Sequence, residues 1–149
     1  MIVSGQKTLA AAPSELWAVL SDPARLAQTL PGVTDVSVRD ANHFSAVAHP
    51  VTALGETRVA LEFEIADQRP DEHVRIIGSG NSGENLVALT ITLDLAPDDA
   101  GTAASWRAEV LLRGVLRSLL QRGLGELMRE QVDAVLGAGA ALSAADRGG

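Results

Sequence analysis

The side chains able to do acid–base, nucleophilic or metal chemistry in this chain are few and dispersed. His43, His49 and His73 are its only imidazoles. His43 and His49 share one face of a period-two stretch, yet six extended residues hold them roughly 20 Å apart, too far to share one ion. Neither has a cysteine or a helical histidine partner four residues away, so surface or rim histidines are the better reading. Glu62 and Glu64 lie on one strand face, as do Arg107, Glu109 and Arg113. Paired carboxylates can act as acid and base inside a cleft. Here their parity opposes that of the aliphatic residues around them, which predicts a solvated face. Cysteine and tyrosine are absent, and no serine sits in a G-x-S-x-G elbow. The spacing assembles no nucleophile, base and orienting group. Neither a catalytic residue nor a metal ligand is expected.

Gly78-Ser-Gly80-Asn-Ser-Gly83 matches the dinucleotide fingerprint G-x-G-x-x-G. That chemistry needs a helix N-terminus aimed at the pyrophosphate, and here a strand pattern follows from Leu86 to Leu95. The stretch is read as a hairpin turn. Gly78 and Gly80, both on the inward parity, would also reduce the side-chain bulk facing the interior.

The elements that must position these residues can be laid out from periodicity. After a strand-like opening, Pro13 and Pro23 each suit the first position of a short helix. Asp22 can accept from an orphan N–H of the second helix, and Leu30-Pro31-Gly32 stops it. Period-two alternation then predicts strands through Val36 and Val38, from His43 to about His49, and through Val59, Leu61, Phe63 and Ile65. Further strands carry Val74 and Ile76, then Val87 to Leu95, then Trp106 to Leu112. Pro50 to Gly55 breaks the pattern. From about Val115 the period becomes helical, with leucines on one arc, and Gly137 and Gly139 mark the expected end. Arg122 and Glu126, and Arg129 and Asp133, form opposite-charge pairs four residues apart. The expected architecture is α+β, an antiparallel sheet of about seven strands curled round one long C-terminal helix, with two short helices closing one end. Residues 1–137 form one domain and 138–149 an Ala/Gly-rich tail.

Bulk composition narrows the function classes. Apolar residues are 46% of the 149, enough for a packed core. Twelve basic and 19 acidic residues give a net charge of −7, and no Lys/Arg run offers a phosphate-binding track. With two Trp, two Phe and no Tyr, base-stacking platforms are implausible, so nucleic acid is a poor partner. The absence of cysteine suits a reducing cytoplasm. The start of the chain lacks a signal-peptide pattern, and no apolar run reaches the roughly 18 residues of a membrane span.

A sheet wrapped on one helix tends to leave an apolar space between them. Parity assigns its lining to Phe63, Ile65, Val74, Ile76, Leu89, Ile91, Trp106 and Val110 from the sheet, with Leu120, Gly123, Leu124 and Leu127 from the helix. Trp106 could stack on a planar ring. Gly123, on the apolar arc, makes room either for a ligand or for close approach of helix and sheet.

Together, Val3-Ser4-Gly5, Ala12-Pro13-Ser14-Glu15-Leu16-Trp17, Ser21-Asp22-Pro23 and Leu30-Pro31-Gly32 resemble the carbon monoxide dehydrogenase G-subunit family. That family lies within the SRPBCC group of START-like helix-grip proteins. The glycines at 78, 80 and 83, Gly114-Val-Leu-Arg-Ser-Leu-Leu-Gln and Gln131-Val-Asp add to the resemblance, which spans about residues 2–137. It implies a hydrophobic cavity binding an apolar, quinone- or lipid-like molecule without catalysis and without a cofactor of its own. It also implies an accessory or maturation role beside a molybdenum hydroxylase of the carbon monoxide dehydrogenase type. Many members carry an apolar anchoring extension, which the residues up to Gly149 do not show. A cyclase- or aromatase-type enzyme, also hosted by this fold, would need polar groups within the cavity and ranks last.

Overall fold

The computed structural model describes every residue except 50, 53–54, 57, 83–84, 121 and 149. The chain forms β1 (Ile2–Leu9), α1 (Pro13–Leu20), α2 (Pro23–Thr29), β2 (Thr34–Asp40), β3 (His43–Ala48) and a small hairpin of β4 (Val51–Thr52) and β5 (Gly55–Glu56). Then come β6 (Val59–Arg69), β7 (His73–Ser82), β8 (Asn85–Asp98), β9 (Gly101–Arg113), α3 (Val115–Leu120) and α4 (Leu124–Gly148). The large sheet has seven strands in the order β1-β9-β8-β7-β6-β3-β2. Every pairing in it is antiparallel. The alternation read in the sequence is the alternation of burial: along β9, Thr102, Ala104, Trp106, Ala108, Val110 and Leu112 are buried. Glu62, Glu64, Arg107, Glu109 and Arg113 are exposed, on the opposite parity.

The first two helices start as expected. The Asp22 carboxylate accepts from the Ala24 N–H at 3.0 Å, and Glu15 accepts from the Ala12 N–H at 3.2 Å. Gly32, with φ +67°, lets the chain leave α2 and enter β2. The indole N–H of Trp17 donates to the His73 carbonyl at 3.1 Å, tying α1 to the start of β7.

The C-terminal helical segment differs from expectation in two ways. It is not continuous from Val115, because Gly123 adopts φ +76° between α3 and α4. No helical residue takes that conformation, so α3 is a separate short helix bracketed by Gly114 at φ +84° and Gly123. Arg122 and Glu126 consequently do not share a helix. At the other end, α4 runs past Gly137 and Gly139 to Gly148, where a tail was expected. Alanines at 138, 140, 141, 144 and 145 favour helix strongly enough to carry it through. Gly139 is the contact point with α1: a Cβ there would lie 3.1 Å from Leu16 Cδ1. The Ser143 hydroxyl lies 3.1 Å from the Glu15 carbonyl and 3.0 Å from that of Gly139.

The glycine-rich stretch is also corrected in part. Gly78 and Gly80 sit inside β7, paired with Leu89 and Val87 of β8, and the part of the expected turn at Gly83 lies outside the described residues. A Cβ on Gly78 would lie 3.0 Å from the Phe63 ring, and one on Gly80 only 2.5 Å from the Ala60 carbonyl. Both glycines answer to close packing against β6. On β2, Val36 and Val38 remain 45% and 47% exposed, because an edge strand on a strongly twisted sheet extends beyond what the helices cover.

Candidate functional site

Between the sheet and the first half of α4 lies an apolar space in two adjoining chambers of about 150 and 430 Å³. Pro31, Ala48, Leu61, Leu89, Met128 and Gln131 border both chambers, which makes them one site with a shared waist. Leu26, Leu30, Pro31 and Val33, from α2 and the turn after it, wall the smaller chamber. Val110, Leu112, Leu120 and Leu124 wall the far side of the larger one. Gln131 is the polar side chain common to both, and His49 joins it in the larger chamber. The Gln131 amide makes no hydrogen bond to any described residue. His49 Nε2 lies 2.7 Å from the Thr34 hydroxyl at the exposed margin.

Of the residues that parity assigned to the lining, Phe63, Ile76, Leu89 and Ile91 border the smaller chamber. Leu89, Val110, Leu120, Leu124 and Leu127 border the larger. The structure places Ile65, Val74, Trp106 and Gly123 elsewhere. Ile65 and Val74 are 2% and 0% exposed, in solid core at the end of the sheet that α1 covers. Trp106 is buried with its ring against Gly5, where a Cβ would come within 2.8 Å. Its indole N–H has no partner among the described residues, and it cannot stack on anything in the chambers. Gly123 has no side chain or backbone within 4 Å of a Cβ position, so its role is the turn between helices and neither of the two expected ones. Parity gives the face of a strand but not the position along it. At the α1 end the interior is closed, with α1 held against α4 at Gly139 and tied to β7 through Trp17 and His73, while the chambers lie farther along the sheet.

The residues that sequence reasoning passed over are informative. Val59, Leu61, Val87 and Leu112 share the parity of lining residues on their own strands, so that signal was present. Leu30-Pro31-Gly32, read as a helix stop and as a family motif, was not assigned to the lining, yet its residues border both chambers. Gln131 falls on the apolar arc, three residues after Met128 and four before Val135, and a polar residue there was the overlooked sign. The histidines serve three separate places: His43 lies 2.8 Å from Asp40, His73 lies 2.7 Å from Asp94, and His49 is at the cavity margin. Asp40 is held below the usual carboxylate range, first by the Asn42 backbone N–H and then by His43, in the β2–β3 turn.

An antiparallel sheet laid round a long C-terminal helix over such a cavity is a helix-grip arrangement, and residues 5–138 match the family of the carbon monoxide dehydrogenase G subunit, CoxG. The chain belongs to that family. Solved structures share its fold at low identity. A conserved protein from Geobacillus kaustophilus is 20% identical, with a TM-score of 0.83 over 97% of this chain and 95% of its own. A protein from Thermus thermophilus is 19% identical, with a TM-score of 0.67 over 98% and 99%. One from Chromobacterium violaceum is 19% identical, with a TM-score of 0.65 over 95% and 96%. No curated protein matches the sequence. Among the described residues, no helix is long and apolar enough to cross a membrane.

Proposed function

We propose that this CoxG-family chain is a non-catalytic carrier for a hydrophobic small molecule, quinone- or lipid-like, held between the sheet and α4. The observation that carries the reading is the chamber lining, aliphatic and aromatic save for Gln131 and His49. The larger chamber, at about 430 Å³, falls within the range of ligand pockets. Burial of apolar ligand surface at roughly 25 cal/mol per Å² supplies most of the affinity, before the cost of ordering the ligand. No general acid, base and nucleophile converge on the space from the described lining, which supports carriage over catalysis. The absence of cysteine favours a cytoplasmic setting.

Native mass spectrometry of the purified chain, followed by organic extraction, tests the proposal. The expected result is a co-purifying or added apolar molecule bound one to one. Failure of lipid extracts, quinones and apolar dyes alike to bind would overturn it. A second reading rests on the family's description, which points to association with carbon monoxide dehydrogenase. In that reading the chain is an accessory or maturation subunit of a molybdenum hydroxylase, acting by protein contact. A pull-down from native lysate that recovers no hydroxylase component would count against it.

A further inference from the structure

The lining of the two chambers comes to the surface at the turn that carries the chain from α2 into β2. Among the described lining residues, Pro31 and Gly32 are exposed, and every other one is buried or half-buried. The polar part of the lining gathers at the same place, since Gln131 and His49 border the larger chamber together with Pro31 and Gly32. An amide without a partner is costly in a sealed apolar space and costs little where water reaches it. The Gln131 side chain is half-buried and has no partner among the described residues, so it marks the rim of the space and not its depth.

The turn is lightly held. It leaves α2 after the Leu30 N–H donates to the Ala27 carbonyl at 3.3 Å, and it rejoins the sheet where Thr34 pairs with Val47. Between these points Pro31, Gly32 and Val33 make no backbone hydrogen bond to a described residue. Gly32 has no atom within 4 Å of a Cβ position, so no other segment packs on it there. The opposite lip is the end of β3, where Ala48 borders both chambers and His49 the larger one. The two lips are joined beside the opening, where the Thr34 hydroxyl lies 2.7 Å from His49 Nε2. The same hydroxyl lies 3.3 Å from the Asp35 carboxylate, to which it can donate while it accepts from the imidazole.

We propose that an apolar cargo enters and leaves between the Pro31–Gly32 turn and the end of β3, and that the Thr34–His49 hydrogen bond is the strap that holds this mouth closed. The inference rests on the reading of the cavity as a carrier site. Thr34 itself borders neither chamber. Its hydroxyl therefore acts on the barrier to passage, so its loss changes entry and release alike and leaves affinity in place.

The test follows exchange of the neutral dye N-phenylnaphthylamine with the full chain by stopped-flow fluorescence. Thr34→Val should speed entry and release each about three-fold and leave the Kd within about two-fold of the wild type. Thr34→Cys with His49→Cys allows the opposite change. The chain has no cysteine of its own, so a short bis-maleimide bridges these two positions alone. Bridging should slow release at least about ten-fold relative to the same protein before bridging. The dye Kd before bridging checks that each variant is folded.

Unchanged rates in Thr34→Val overturn the strap, and unchanged release in the bridged protein overturns the mouth. Faster release with entry unchanged and a weaker Kd also overturns the strap, because the hydroxyl would then support the site and not the passage. A wild type that binds the dye but exchanges it regardless of the bridge defeats the mouth alone. A wild type that takes no apolar dye defeats the carrier reading, and the mouth falls with it.

Discussion

At the residue scale, Gln131 and Gly123 have opposite relations to their surroundings. Gln131 makes no side-chain hydrogen bond to a described residue and stands on a wall that is apolar save for His49, and no Lys or Arg joins it among the described lining. A carboxylate in that space would lose its hydration without gaining a counter-charge, which costs several kcal/mol. A long-chain alcohol is therefore expected to displace an apolar dye better than the ionised fatty acid of equal length. Gln131→Arg should reverse that order by about ten-fold or more, because the guanidinium supplies the missing partner. Unchanged order in the variant would remove Gln131 from contact with the ligand head. Gly123 does nothing to the cavity directly. With φ +76° and no neighbour within 4 Å of a Cβ, its replacement meets backbone strain and no clash. Gly123→Ala should cost about 1–2 kcal/mol of stability in urea titration and leave dye affinity unchanged. A loss of affinity at full stability would mean that α3 shapes the site more than its packing indicates.

At the element scale, α4 does two jobs that divide near its middle. Its first half, through Leu124, Met128, Val132 and Val135, faces the sheet across or beside the chambers, while Gly139 and Ser143 lock its second half to α1. Truncation after Gly137 is therefore expected to destabilise the chain by about 2 kcal/mol or more, through loss of packing against Leu16 and Val19. A truncated protein that melts with the full chain would show that the packing of residues 138–149 on α1 adds nothing to stability. The helix was half legible in sequence. Its apolar arc from Leu116 to Val135 was plain, but two glycines pointed the wrong way. Gly137 and Gly139 resemble a C-terminal stop, and only the α1 surface opposite explains why one of them lies inside the helix. Gly123 resembles an interior glycine, and only its positive φ reveals the break. In the strands the alternation was sufficient for face and order, since one buried face fixes parity. Depth along the strand was not legible, because it depends on where α1 and α4 close on the sheet. That is why Phe63 and Ile76 line the space while their neighbours Ile65 and Val74 fill the core.

At the scale of the whole molecule, the layers are sealed at one end and held apart at the other. Close packing uses small residues, Gly5 of β1 beneath Trp106 of β9 and Gly139 of α4 against Leu16 of α1, and Trp17 ties α1 to the sheet at His73. At the open end, large aliphatic side chains line the space without filling it, and dispersion contacts there are left unmade. A bound apolar molecule supplies those contacts only in the folded state. Saturation at about a hundred times its dissociation constant should therefore raise folding stability by roughly 2.7 kcal/mol. Ala48 offers a way to supply them without a ligand, since it borders both chambers at their waist. Ala48→Phe should place a ring where the ligand would lie, leaving melting temperature unchanged or raised and weakening dye binding at least about ten-fold. If the variant instead bound as the wild type does, the two chambers would not work as one ligand site. If it lost stability in step with binding, the waist would be packed too tightly to admit a ligand. Raised stability with binding lost is the outcome that requires a pre-formed space, because only a void already present can accept a ring without displacing its walls.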